Sequence, residues 1–405
     1  MDFTFTEEQQ AATEAAKAVF SGVVPDGVPS PALVPGAVAE DIDRPLWAGL
    51  ASGDLLSLTL SPEHGGAGLD LVALCLVLRE SAKVLARVPL LETCAVAMAL
   101  QRYGNPRLAA ELLPRVGRGE LVLTAGANGR TGHDPAELAV TARREAAAGT
   151  DAGASAGAGA GSDGAGAGGG ADSDGGWVLD GTQSAVPWAQ AADWIAIPAH
   201  IDEGRAVVAL IQPAQDGVTL AEQVSTSGER FAEVRLESVR VDGQALIDEP
   251  GAWEWLRALL TTGTCALALG LGEAVLAMTS QYTGKREQFG FPVATFQSVA
   301  VQTADRYIDL RAMEVTLWQA AWRISTGATG ALPAEGDIAV AKIWASDGVR
   351  RVVQTAQHLH GGFGADTDYP LHRFHAWAKQ IELSLGPAAA HEEALGDLLA
   401  AHLLG

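Results

Sequence analysis

The chain is poor in cations, in cysteine and in long apolar runs, and each shortage excludes a class of protein. Lysine and arginine together number 27 against 49 aspartates and glutamates, a formal net charge of −22. Such a surface repels phosphodiesters and anionic lipid headgroups alike, so neither nucleic acid nor a membrane is expected as a partner. The cysteines, Cys75, Cys94 and Cys265, are odd in number, lack metal-ligand spacing and have apolar neighbours. They read as small buried hydrophobes, and no metal site is expected. No stretch reaches the roughly eighteen uninterrupted apolar residues of a membrane span; the most apolar window, Trp255 to Gly272, holds Arg257 and a Thr-Thr-Gly-Thr run. The start, Met1-Asp-Phe-Thr-Phe-Thr-Glu-Glu, carries acids where a secretory signal needs bases followed by an apolar run, so the expected location is cytoplasmic.

What is present suffices for two or three domains: 405 residues, 48% of them hydrophobic. Thr6-Glu-Glu-Gln9 has capping-box spacing ahead of an Ala-rich helix to about Phe20. After a Pro-rich connection, helical patterns run over Pro45 to Leu56, Leu69 to Leu85, Leu91 to Tyr103 and Arg107 to Val116. An all-helical first domain over 1–120 is expected. From Leu121 the apolar period shortens to short β-type runs, Leu121 to Thr124, Trp177 to Gly181, Trp194 to Ile197, Ala206 to Ile211 and Glu233 to Leu236, which predict a small β domain over 121–245. Inside it, residues 147–176 are almost wholly Gly, Ala, Ser and Asp, too apolar-poor to offset their ordering entropy, and a flexible insert is expected. Over 246–405 the pattern is helical to the end, with Leu267, Leu271, Val275 and Met278 on one face and Leu310, Met313, Leu317, Ala321 and Ile324 on another, as in a four-helix bundle. The expected fold class is thus α+β, multidomain, in the order α, β, α.

Two stretches of the last domain carry chemistry. Arg286-Glu-Gln-Phe-Gly-Phe-Pro-Val-Ala-Thr-Phe-Gln297 places a guanidinium, an amide (Gln288) and a ring (Phe289) on a Gly- and Pro-punctuated corner between two helices. An arginine fork suits a pyrophosphate, and an aromatic ring can pack on an adenine or a flavin. Further on, His358-Leu-His-Gly-Gly-Phe-Gly364 has glycines that let backbone N–H groups approach an anion. Lys285 and Arg286 supply the local positive charge that an anionic ligand needs on so acidic a chain.

Together these motifs resemble the C-terminal domain of the FAD-dependent acyl-CoA dehydrogenases, and Pro62-Glu-His-Gly-Gly-Ala-Gly68 resembles a loop of that family's N-terminal domain. The resemblance covers essentially the whole chain. It implies that Arg286, Gln288, Phe289, Gln297, His358, Gly361, Gly362 and Gly364 contact the FAD of a neighbouring subunit, that the substrate is an acyl-CoA oxidised to its enoyl-CoA, and that an electron-transfer flavoprotein takes the electrons. It also exposes losses. The family's catalytic carboxylate falls, by counting from Tyr369-Pro370 or back from Arg286, on Leu385 or Leu260; no catalytic residue is expected there, and Glu382 and Glu254 nearby are expected on solvated helix faces. The family's Thr-Glu-Pro-x-x-Gly-Ser-Asp run is replaced by Thr124-Ala-Gly-Ala-Asn-Gly-Arg-Thr-Gly-His-Asp134, and Pro187 stands where a threonine hydroxyl approaches flavin N5.

Contacts toward a neighbour's flavin are kept while those toward the chain's own are lost. That asymmetry resembles the base-lacking chain of the α2β2 steroid side-chain acyl-CoA dehydrogenases of actinobacteria, the run from Gln357 to Arg373 with His358 especially. A self-sufficient homotetramer with a displaced base, and a flavin-free structural relative, remain as alternatives.

Overall fold

A computed structural model describes residues 4–25, 28–31, 34, 36–131, 137–145, 176–201 and 204–402. The insert expected to be flexible, and residues 132–134 of the altered loop, lie outside them, Gly176 excepted.

Helix α1 (Glu7–Phe20) starts as its sequence requires: the Thr6 hydroxyl accepts from the Gln9 amide N–H at 3.2 Å and the Gln9 side chain accepts from Thr6 N–H at 3.0 Å. Helices α2 (Arg44–Ser52), α3 (Leu71–Lys83), α4 (Leu90–Tyr103) and α5 (Pro106–Gly117) follow. Asp43, Asp70 and Asn105 cap α2, α3 and α5 through side-chain oxygens.

The chain then enters one sheet of eight strands: β1 (Leu123–Ala125), β2 (Val140–Arg144), β3 (Trp177–Pro187), β4 (Trp194–His200), β5 (Ala206–Ile211), β6 (Val218–Val224), β7 (Arg230–Val241) and β8 (Leu246–Ile247). They lie in the order β6-β7-β3-β2-β4-β5-β8, with β1 parallel to β4 in the register Thr124↔Ile195. Sequence patterning missed β2, β6 and β8. The first two are half-exposed strands, and β6 in particular has no buried residue to mark it.

Three long helices, α6 (Ala252–Lys285), α7 (Gln297–Thr326) and α8 (Ala334–His360), and two short ones, α9 (Leu371–Leu383) and α10 (Ala388–Ala401), complete the chain. The C-terminal third is not helical throughout: β9 (Glu287–Gln288) and β10 (Phe291–Pro292) form a hairpin between α6 and α7. Its central residues, Phe289 at φ 56° and Gly290 at φ 84°, are both left-handed, the conformation of a tight two-residue hairpin turn.

Helix α6 is long and apolar enough to cross a bilayer, but 78% of its most apolar window is buried inside the protein, so its hydrophobicity is that of a core helix. It packs on α3 through Gly270, where a Cβ would overlap the Arg79 carbonyl oxygen. Gly270→Ala is therefore expected to cost about 1–3 kcal/mol, the usual range for overpacking, because backbone cannot rotate aside as a side chain can. Chemical denaturation measures it, and an unchanged midpoint would show that the two helices can separate freely. The three cysteines are free and buried, as their neighbours imply.

Candidate active-site cleft and cofactor corner

Two places collect the residues singled out above. The first is a cavity of about 100 Å³ enclosed between α3, α4, the sheet, α6 and α9. Leu260 from α6 and Leu385 from the turn after α9 both line it. The two places counted independently along the sequence therefore converge on one cavity, and both present buried aliphatic side chains, 3% and 6% exposed.

Leu385 is held firmly although it carries no chemistry. Its φ is 59°, unusual for a branched residue, and Gly386 follows at 93°. Its N–H donates to Asn128 Oδ1 at 3.0 Å, and its carbonyl accepts from His391 Nε2 at 2.8 Å. Burial holds His391 down to about 4, so the ring is neutral and donates as the Nε2–H tautomer. Lys342, wholly buried on α8, closes the end of α9 by donating to the Ile381 and Glu382 carbonyls at 3.2 and 3.1 Å; desolvation lowers its ammonium to about 8.

Of the two nearby acids named from sequence, neither lines the cavity. Glu254 is exposed at the start of α6, as expected, whereas Glu382 is not on a solvated face: its side chain is only 13% exposed and pairs with Lys379 at 2.7 Å. Two carboxyls do line the cavity, Glu229, which is paired with Arg87, and Glu92, in the first turn of α4. Burial pushes it up to about 7, against the helix N–H groups and the Trp188 indole, which favour the carboxylate. Sequence reasoning passed over it. The available signal is an acid inside Leu90-Leu-Glu-Thr-Cys94, where an apolar helix start offers no partner.

Glu92 has a stability consequence whose sign is definite. Its folded pKa is raised, so between about 4.5 and about 7 the folded chain holds a proton that the unfolded chain has lost, and stability falls as pH rises through that window. The other ionised groups at the cavity, Glu229 with Arg87 at 2.7 Å and Arg230 with Glu222 at 3.2 Å, are paired. Glu92→Gln is expected to gain on the order of 2 kcal/mol at pH 8 and nothing at pH 4.5. Thermal melts at both values decide it; an equal gain at both would show that ionisation is irrelevant.

A flavin does not fit this cavity as it stands. Sites for ligands of that size usually enclose roughly 300–1,000 Å³. Here Pro187 and Trp188 border the space, Trp188 reaching Glu92, while the Pro187 carbonyl is taken by the Thr124 hydroxyl at 2.6 Å.

The second place is the hairpin corner. Arg286 ends α6, is exposed, and forms no ion pair among the described residues. Phe289 is 91% exposed and strained into the left-handed region, an arrangement with no stabilising role inside this chain. Phe296 meets it edge-on at 6.3 Å. Gln288 and Gln297 are exposed beside it, Gln297 as the first residue of α7.

The glycine loop follows α8 and is joined to this corner through Tyr282, one turn before Arg286. The Tyr282 ring stacks on His360 at 4.3 Å and on Phe363 at 5.4 Å. His360 Nδ1–H donates to Ala356 O at 2.8 Å, which leaves Nε2 to accept from the Tyr369 hydroxyl at 3.1 Å. Gly361 sits at φ 59° and ψ −136°, which only glycine adopts readily, and neither Gly361 nor Gly362 has any atom within 4 Å of where a Cβ would lie. Gly364 is different: a Cβ there would press on the Gln357 carbonyl at 2.8 Å, an internal reason for glycine. His358 is exposed; His360 is the histidine built into the loop. An unpaired guanidinium, a bare ring and an open glycine backbone at one end of the bundle suit a phosphate-bearing aromatic ligand presented from outside.

Comparison with known proteins shows the family. The sequence profile of the acyl-CoA dehydrogenase N-terminal domain matches residues 6–120, and that of the C-terminal domain matches 260–399. The chain is 31% identical to acyl-CoA dehydrogenase FadE27 of Mycobacterium tuberculosis over 99% of both chains. It resembles a chain of the ChsE4-ChsE5 complex of Mycobacterium tuberculosis with a TM-score of 0.83, 32% identity and 99% coverage of both. It resembles a variant of the Tcur3481-Tcur3483 steroid ACAD with a TM-score of 0.82, 33% identity and 98% coverage of both.

Proposed function

Because this chain belongs to the acyl-CoA dehydrogenase family, whose cofactor is FAD, we propose that it is the base-lacking subunit of a heteromeric acyl-CoA dehydrogenase and completes its partner's flavin site. One observation carries the reading: Leu260 and Leu385 face the same cavity, so neither family position offers a proton acceptor. The exposed, unpaired corner at Arg286 supports the complementary half. FAD held across such a pair would supply the hydride acceptor. This chain's part would be to hold it: Arg286 would pair with the pyrophosphate, Phe289 would cover an aromatic face, Gln288, Gln297 and His358 would line the edge, and Gly361 and Gly362 would offer open backbone, Gly364 being buried behind them. The partner, a paralogous acyl-CoA dehydrogenase chain in an α2β2 assembly, supplies the carboxylate and the acyl-CoA cleft, with an electron-transfer flavoprotein as acceptor. The likeness to the ChsE4-ChsE5 complex and to a steroid ACAD supports a two-gene assembly and a steroid side-chain CoA thioester as substrate class.

Flavin stoichiometry tests this. Alone, the chain is expected to purify colourless; with its partner, the complex is expected to hold one FAD per pair of chains. One FAD per chain in the isolated protein would support the self-sufficient homotetramer instead, and none in either preparation the flavin-free relative.

A further inference from the structure

Helix α7 buries one face and leaves the other bare. Leu310, Met313, Leu317 and Ala321 turn into the bundle. On the opposite face Val301, Ile308 and Val315 recur every seven residues and are 52%, 62% and 50% exposed. Apolar β-branched side chains repeated every two turns form the seam that one helix presents to another, and in this chain they face solvent. Ala304 and Ala312 lie on the same face, small enough for a second backbone to come close, and Asp305 and Arg311 flank the seam as exposed charges. Counted outward from Ile308, the face repeats itself with its charges exchanged. Valine stands seven residues to either side and alanine four; at three residues stand Asp305 on one side and Arg311 on the other. Asp305 has no cationic partner among the described residues. Arg311 pairs with Glu314, which also lies beside Arg79 and so keeps a cation if Arg311 turns away.

We propose that this face of α7 joins two copies of this same chain, the helices antiparallel across a two-fold axis at Ile308. An isologous contact brings residue i to residue j and j to i, so the face must complement itself. About such an axis each residue lies level with the one equally far on the other side of Ile308 in the second copy. Val301 is then level with Val315, Ala304 with Ala312 and Arg311 with Asp305, each pair formed twice. The long arginine side chain spans the seam to a carboxylate that has no partner in its own chain. Copies with a formal charge of −22 repel one another at a distance, so a like-with-like contact needs opposite charges matched locally, and here they are. A different partner chain places no such demand on the order of these residues. In a two-gene assembly this contact sets like chains back to back and leaves the Arg286 corner to the unlike neighbour. The pairing stands on α7 alone, whether or not the chain lacks a base.

Sedimentation equilibrium on the full chain tests it by exchanging charges. The wild type is expected to dimerise. Asp305→Arg and Arg311→Asp each set like charges against one another twice across the axis, and each is expected to weaken the dimer about tenfold or more. Mixing the two variants is expected to restore it, because every substituted residue then meets the opposite charge. Both positions are exposed, so neither change disturbs the core. Ile308→Cys supplies a second measurement: a residue on the axis meets its own copy, so copper–phenanthroline oxidation is expected to link two chains through it, the three native cysteines being buried. A monomeric wild type, a dimer indifferent to both charge reversals, weakened variants that do not recover on mixing, or no cross-link at position 308 overturns the proposal. So does loss of that cross-link when a paralogous chain is co-expressed, which would give the face to the unlike partner. Flavin stoichiometry is read separately, so failure here leaves the subunit assignment standing, and failure there leaves this contact standing.

Discussion

Expressed without a partner, the chain is expected to show no acyl-CoA dehydrogenase turnover with an artificial electron acceptor. Removal of the α proton needs a carboxylate beside the substrate, and a positioned base contributes roughly 10²- to 10⁴-fold. Leu260 and Leu385 cannot take a proton, and both are buried against the cavity rather than free to move aside. The surrounding framework offers no easy substitute: Glu254 is exposed at the far end of its helix turn, and Glu382 is engaged by Lys379 at 2.7 Å. The cavity by itself is too small for a flavin, and the space beside it is an open cleft of about 530 Å³ that shares Asn128, Phe231, Gln380 and Ser384 with it. Of the two carboxyls lining the cavity, Glu229 is engaged by Arg87 at 2.7 Å and Glu92 has no cationic partner among the described residues, so the decisive measurement is steady-state turnover of the isolated chain and of its Glu92→Gln, Glu229→Gln, Glu254→Gln and Glu382→Gln variants. Turnover that one of these variants abolishes would sink the base-lacking reading and name the base.

In the assembled complex, Arg286→Ala is expected to weaken FAD binding by about 10- to 150-fold, corresponding to about 1.5–3 kcal/mol for a charge-assisted hydrogen bond that becomes desolvated. The free chain gives the arginine no competing partner, so the substitution should leave the fold of this chain intact. Its backbone N–H still donates to Tyr282 O at 2.8 Å and its carbonyl still accepts from Val293 at 2.7 Å, which keeps the hairpin in place. Flavin titration of the complex against its melting temperature separates the two effects: affinity falls while the melt of the flavin-free complex stays put. Unchanged affinity would mean that the guanidinium remains in water when the subunits meet.

Local order in the sequence carried a large part of this. The capping box at Thr6, the periodic stripes of α6 and α7 and the Arg286 to Gln297 and His358 to Gly364 motifs are all written within a few residues, and each lies where its spacing implies. Counting from the two landmarks leads to Leu260 and Leu385, and the fold brings both to one cavity. The hairpin inside the helical third was not read as strands, since two-residue strands have no period to detect. His360, rather than His358, proved to be the histidine fixed in the loop, because its ring finds Tyr282 from α6 and Tyr369 from the turn before α9, partners 78 and 9 residues away.

By itself, then, the sequence determined the α, β, α architecture and the family resemblance, since composition and short-range spacing suffice for each. Only the tertiary structure decided that Leu260 and Leu385 share one cavity, that Glu92 lines the same space, and that Phe289 and Arg286 stand exposed at the surface. Those facts depend on how α4, α6, α9 and the sheet pack against one another. Burial, desolvation and exposure are properties of that packing, and no residue carries them along the chain.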